Sequence, residues 1–248
     1  MNVKQEEIRT VTKALKDYRS RQLAAVIDKH DEDATREVKT TNRILDRIES
    51  ESRYNEALHE SEYHSTLRML KADTSEKGLI RYAIFRFGCT SGLRAAEMSA
   101  LRWENFSSCD GEYSVTFMSR GNANKTLRTV PVEKEALEAL DMAYRHSTGK
   151  SPSPKASVLV ASHRNRMTKA TIHNRVKEIE AAAKSAGLMR GNLVFSTRTM
   201  RHTAFTLMAE RGVPLDVIQR LAGHSTMGST SRYLHTEYDS SEILNDES

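Results

Sequence analysis

Ile8, Val11, Leu15 and Tyr18 recur at spacings of three and four, which predicts an amphipathic helix over residues 4–28. The polar stretch DEDATREV interrupts the pattern, and Val38, Thr41, Leu45 and Ile48 restart it in a second helix rich in opposite charges. No strand pattern occurs before residue 70. A third helix is expected from about Tyr54 to Leu70, closed by KADTSEKG, and LIRYAIFRFGCTSG then reads as a buried helix ending at Gly88 or Gly92.

Beyond residue 110 the period shortens. YSVTFM (113–118) and LRTVPV (127–132) are β-rich and flank SRGNANKT, whose Gly-Asn-Ala-Asn suits a turn, so a hairpin is expected. EKEALEALDMAYRH reads as a helix, HSTGKSPSPKAS as a loop and SVLVAS as a short strand. KATIHNRVKEIEAAAKSAG is a long helix stopped by Gly187. Two helices follow: Ser196 or Thr197 caps RTMRHTAFTLMAER, Gly212 ends it, and Pro214 starts LDVIQRLAG at the favoured first position. The expected fold class is mainly α with a small antiparallel β-hairpin or sheet, without internal repeats.

A chain of 248 residues accommodates one large domain, or one ordinary domain with an appendage. The second division is expected here: an N-terminal helical segment over 1–51, then a domain over 52–248 with a tail at 236–248. At 38% hydrophobic and 29% charged residues, with 11 Gly and 4 Pro, the composition excludes a low-complexity chain. No window approaches the roughly 18 apolar residues of a membrane span, and MNVKQEEIRT lacks the apolar core of a signal peptide. A cytoplasmic protein without a membrane partner is expected. Cys89 and Cys109 are too few for a disulfide framework or a zinc cluster.

The net charge of +5 is unevenly spread. Residues 1–75 hold 14 Lys and Arg against 15 Asp and Glu, residues 118–235 hold 19 against 8, and the last 13 residues are acidic. Such a local excess suits a polyanion, because each neutralised phosphate releases counterions. A merely soluble basic surface has the same composition.

Four stretches concentrate groups useful on a phosphate. In TSGLRAAEMSALRW, Arg94 and Glu97 lie three apart, so on a helix the carboxylate can orient the guanidinium. The hairpin carries Arg120 before its turn and Lys125 after it. Arg198 and Arg201 have one-turn spacing at a helix start, where two guanidiniums could cradle an anion. In LAGHSTMGSTSRYLH, His224 follows a Gly-terminated helix and Tyr233 comes nine residues later. Taken singly, these are also an ordinary ion pair, a basic hairpin tip, two solvated arginines and a buried tyrosine.

Their order and spacing together resemble the tyrosine recombinases, the phage-integrase family. TSGLRAAEMSALRW resembles that family's first-arginine box and TMRHTAFTLMAERGVPLDVIQRLAGHSTMGSTSRYLH its second, over about residues 55–235. The resemblance implies a catalytic domain that breaks and rejoins DNA without metal or cofactor. Arg94, Arg198 and Arg201 would hold the scissile phosphate, with Glu97 behind Arg94 and His202 behind Arg201. His224 would be a further donor, Lys125 the general acid, with Arg120 as the alternative at the hairpin, and Tyr233 the nucleophile of a 3′-phosphotyrosyl intermediate. Arg120, Lys125, Arg128 and Arg232 would contact DNA. The implied partners are a double-stranded recombination site, three further copies in a homo-tetramer on DNA and an accessory directionality factor, with nucleoid association. The alternatives are a non-cleaving DNA-binding architectural or regulatory protein on the same scaffold, or an enzyme resembling a type IB topoisomerase or a telomere (hairpin-end) resolvase. Arg198 stands where the family usually has histidine, which puts any proton transfer at that position in doubt. Only some fifty residues precede the catalytic part, so a reduced DNA clamp or a protomer contact is expected there.

Overall fold

The computed structural model describes residues 57–119, 126–161 and 165–223, together with scattered positions between 11 and 44. Those scattered positions, Val11, 13–15, 17–18, Arg21, 40–41 and Ile44, are helical, within the spans predicted for the two N-terminal helices.

Helix α1 spans Glu60–Ala72 and α2 spans Glu76–Ser91. Ser75 caps α2 by accepting from the Gly78 amide at 3.1 Å. Ile80, Ala83, Ile84, Phe85, Phe87 and Cys89 bury almost the whole circumference of α2, the mark of a helix packed on several sides. It runs through Gly88 and stops at Gly92. A Cβ on Gly88 would come within 2.9 Å of the Met200 side chain, so that glycine makes room for a neighbouring helix instead of ending its own.

Helix α3, Ala95–Ala100, leads through a 3-10 turn at Trp103–Asn105 into a sheet of order β1-β2-β3. Strand β1 is Phe106–Cys109, β2 is Glu112–Met118 and β3 is Leu127–Val132, all antiparallel. The two strands of the expected hairpin are present, and β1 is an addition. Asp110 (φ 51°) and Gly111 (φ 84°) form the two-residue turn joining it to β2, with the positive φ pair that matches strand twist. Pro131 is tolerated because β3 lies at the sheet edge. Val115, Phe117, Val130 and Val132 face the core, while Thr116 and Thr129 pair on the outer face.

Helix α4 is Lys134–Thr148, α5 Lys169–Ser185, α6 Thr197–Glu210 and α7 Leu215–Ala222. Ser196 caps α6, and Pro214 is the residue preceding α7 rather than its first helical position. SVLVAS does not form a strand. Its pairings are isolated bridges, Arg102 with Ser157 and Val160 with Arg166, too short to start a ladder, although Val158, Leu159 and Val160 are buried. Phe85 lies 5.7 Å from both Tyr63 and Phe195 in the main core. A smaller cluster of Phe205, Ile218 and Ala222 seats α7 on α6. Among the described residues no helix is long and apolar enough to cross a membrane.

Gly92 has φ 64°, and a Cβ there would come 2.6 Å from the Phe205 ring. Left-handed strain and overpacking should together cost about 2–4 kcal/mol in Gly92→Ala. Gly111→Ala, also at positive φ but with nothing within 4 Å, should lose only about 1 kcal/mol. Urea unfolding of both variants measures the difference, and equal losses would show that the Phe205 contact is easily relieved.

Candidate active site

Arg94 ends the turn after Gly92 and forms the N-cap of α3. Its backbone amide donates to Glu97 Oε2 at 2.8 Å, and its Nη1 donates to Glu97 Oε1 at 3.2 Å. The Glu97 side chain is fully buried, whereas that of Arg94 is 36% exposed. The predicted pairing of these residues is therefore present, with the carboxylate inside and the cation at the rim.

A second guanidinium reaches the same carboxylate. Arg128 Nη1 lies 3.6 Å from Glu97 Oε1, an ion pair beyond hydrogen-bond range. Arg128 Nη2 donates to the Leu221 carbonyl near the end of α7, and the Arg128 carbon Cζ lies 5.2 Å from the Phe117 ring centre. Among the described residues, its Nε and Nη1 have no hydrogen-bond partner. Burial lowers the Arg128 pKa from its ordinary value, Glu97 opposes that shift and Arg94 adds to it. Expected as a DNA contact, Arg128 is instead buried and turned inward. The alternation of β3 explains this, since Arg128 shares its face with Val130 and Val132.

Arg201 lies on the inner side of α6. Its Nη1 donates to the Gly92 carbonyl at 2.5 Å and its Nη2 to the Ala222 carbonyl, while its Cζ lies 4.9 Å from the Phe205 ring centre. Arg201 and Arg128 thus serve adjacent carbonyls at the C-terminus of α7, where orphan acceptors and the negative end of the helix dipole favour cations. Gly223 follows with φ 63°, and a Cβ there would stand 3.0 Å from Arg128 Cζ. His224 comes next in the chain.

Arg198 and Arg201, expected as a paired cradle, differ in burial. Arg201 is buried, while Arg198 is exposed on the first turn and donates from Nε to His202 Nε2 at 3.1 Å. His202, expected behind Arg201, is buried and accepts at Nε2 from Arg198. Arg120, Lys125, His224, Arg232 and Tyr233 lie outside the described residues. The Ser119 amide donates to the Thr126 carbonyl at 2.8 Å, so the segment holding Arg120 and Lys125 leaves and rejoins the sheet at neighbouring points. Among the described residues no three His, Cys, Asp or Glu side chains converge to hold a metal ion. Sequence reasoning missed Phe117 and Phe205 beneath the two inner guanidiniums, and the carbonyls of Gly92, Leu221 and Ala222 as their acceptors.

Glu97→Gln should lower stability by about 3 kcal/mol, because the buried Arg128 would lose its counter-charge. Urea unfolding should give a lower midpoint at unchanged slope, and an unchanged midpoint would show that the pair contributes nothing net.

Residues 56–240 match the model of the phage integrase family. The chain is 31% identical over 171 residues to tyrosine recombinase XerD of Lacticaseibacillus casei, covering 67% of this chain and 54% of that relative. It is 25% identical over 177 residues to tyrosine recombinase XerA of Pyrococcus furiosus, covering 71% and 56%. The chain spans about half the length of the curated relatives it matches. Its fold is similar to that of XerH site-specific recombinase bound to difH substrate in a pre-cleavage complex, with TM-score 0.62 and 19% identity over 77% of this chain and 55% of that one. It is also similar to the Tn1549 transposon integrase in complex with transposon right end DNA, with TM-score 0.60 and 16% identity over 98% and 93%. The family match runs through both arginine boxes, the sheet and the helices between them, and the chain belongs to the phage integrase family of tyrosine recombinases.

Proposed function

We propose that this chain is a site-specific DNA recombinase that cuts and rejoins strands through Tyr233. The observation that carries the reading is the bridge made by Arg201. It joins Gly92, two residues before Arg94, to Ala222, two residues before His224. Two stretches more than a hundred positions apart are thereby held together around one arginine.

In this mechanism Arg94, Arg198 and Arg201 hold the scissile phosphate, Glu97 orients Arg94, and His224 donates a further hydrogen bond. The Tyr233 oxygen attacks phosphorus, the bond to the 5′ oxygen breaks, and Lys125 gives that oxygen its proton. A 3′-phosphotyrosyl bond conserves the phosphodiester linkage for rejoining. Preorganised cations act where negative charge develops, and they also favour ionisation of a phenol whose ordinary pKa is about 10.

DNA as the substrate is supported by the basic excess over residues 118–235 and by the DNA complexes of XerH and the Tn1549 integrase. The working form is a homo-tetramer on two DNA sites, with direction set by an accessory factor. Residues 52–248 form the catalytic domain, and 1–51 a helical segment that contacts DNA or a neighbouring protomer. A non-cleaving DNA-binding protein is the second reading, motivated by Arg198 at the position where histidine is usual.

A suicide DNA substrate, nicked so that the cut cannot be resealed, separates the two. Wild type should form a covalent protein-DNA adduct, and Tyr233→Phe should form none while its DNA affinity stays within about threefold. Binding without an adduct in wild type would favour the second reading, and an adduct in Tyr233→Phe would reassign the nucleophile. Arg94→Lys should slow adduct formation about 100-fold, since an ammonium lacks the guanidinium fork. An unchanged rate would remove Arg94 from the phosphate.

A further inference from the structure

Arg128 is, beside Arg201, a second interior arginine that touches both halves of the site. One edge of its guanidinium faces Glu97, the partner of Arg94, and the other holds the Leu221 carbonyl, three residues before His224. It also stands three residues after Lys125, on the strand that receives the hairpin. We propose that Arg128 is a positioning residue for strand cleavage: it fixes the end of α7 relative to the Arg94-Glu97 pair. The proposal rests on the recombinase reading above.

Three observations argue for this role over that of a DNA contact. The side chain is 8% exposed, and the groups it meets, Glu97 and the Leu221 carbonyl, belong to the protein's own interior. Its planar group lies over Phe117 at 5.2 Å, which sets its tilt. Close approach at Gly223 leaves no room for a side chain between the guanidinium and the helix end, since a Cβ would stand 3.0 Å from Cζ and about as close to Nε. A buried cation with few acceptors is held firmly by those it has, here Glu97 and the Leu221 carbonyl. A shift of about 1 Å in a group acting on the reacting phosphate can cost about 100-fold in rate without loss of binding.

The test uses the full chain and the suicide substrate, with single-turnover adduct rates at saturating DNA, DNA affinity, and backbone hydrogen exchange over residues 215–222. Arg128→Met should lower the rate about 100-fold with affinity within about threefold. Arg128→Lys, which keeps a cation but not the fork, should recover about tenfold of that loss. Val115→Ala is a control for stability alone, because Val115 is buried in the core on the neighbouring strand. It should keep the rate within about threefold. Exchange over 215–222 should accelerate in Arg128→Met and not in Val115→Ala. The proposal is overturned if Arg128→Met reacts within about threefold of wild type, loses rate only in step with affinity, or matches a comparable loss in Val115→Ala. If wild type forms no adduct, the recombinase reading fails separately. The anchoring is then decided by exchange, with equal rates in Arg128→Met and wild type counting against it.

Discussion

A carboxylate sealed from water needs cations beside it, and the fully buried side chain of Glu97 imposes that need on this fold. Desolvating one such charge costs several kcal/mol unless opposite charges and donors surround it. Glu97 meets the requirement with the Arg94 amide and guanidinium on one side and Arg128 on the other. The consequence is geometric. Helix α3 starts where Arg94 caps it, and β3 must run where its inward residue reaches the same oxygen.

The end of α7 depends on the same arrangement. Its last carbonyls have no helical partners, and Arg128 and Arg201 supply donors to two of them. Each guanidinium also lies near an aromatic ring, Phe117 or Phe205, which supports a planar cation without competing for its hydrogen bonds. Arg94, Arg128 and Arg201 outnumber the single carboxylate, so the cluster is cationic where box one meets box two. That positive character at the start of the His224 segment is the physical basis for reading the site as one for a phosphate.

Much of this was legible in the sequence. Helical spacing and caps located α4, α5 and α6, and alternation located β2 and β3. The Arg94-Glu97 pair followed from a spacing of three. The departures have local causes. Strand β1 was missed although Asp110-Gly111 is a strong turn signal, because FSSC has only one large apolar residue. SVLVAS has strand composition, but composition cannot supply a pairing partner. Gly88 looked like a helix end because packing against Met200 is a tertiary fact. Arg128 was expected to contact DNA from the resemblance, while its parity with Val130 and Val132 already pointed inward. The acceptors of Arg201 were invisible, since backbone carbonyls leave no mark in residue identity. The expectations for Lys125, His224 and Tyr233 fall outside the described residues.

Arg201 fastens the end of α2 to the end of α7, and Arg128 fastens α3, β3 and α7. The contacts to α7 close over long stretches of chain, so a fragment that stops before residue 221 contains neither of them. A polypeptide still being synthesised, or one clipped before the end of α7, would leave Arg128 and Arg201 without these acceptors. The full cluster is therefore complete only once α7 has been added, which ties this charge arrangement to the last described part of the chain.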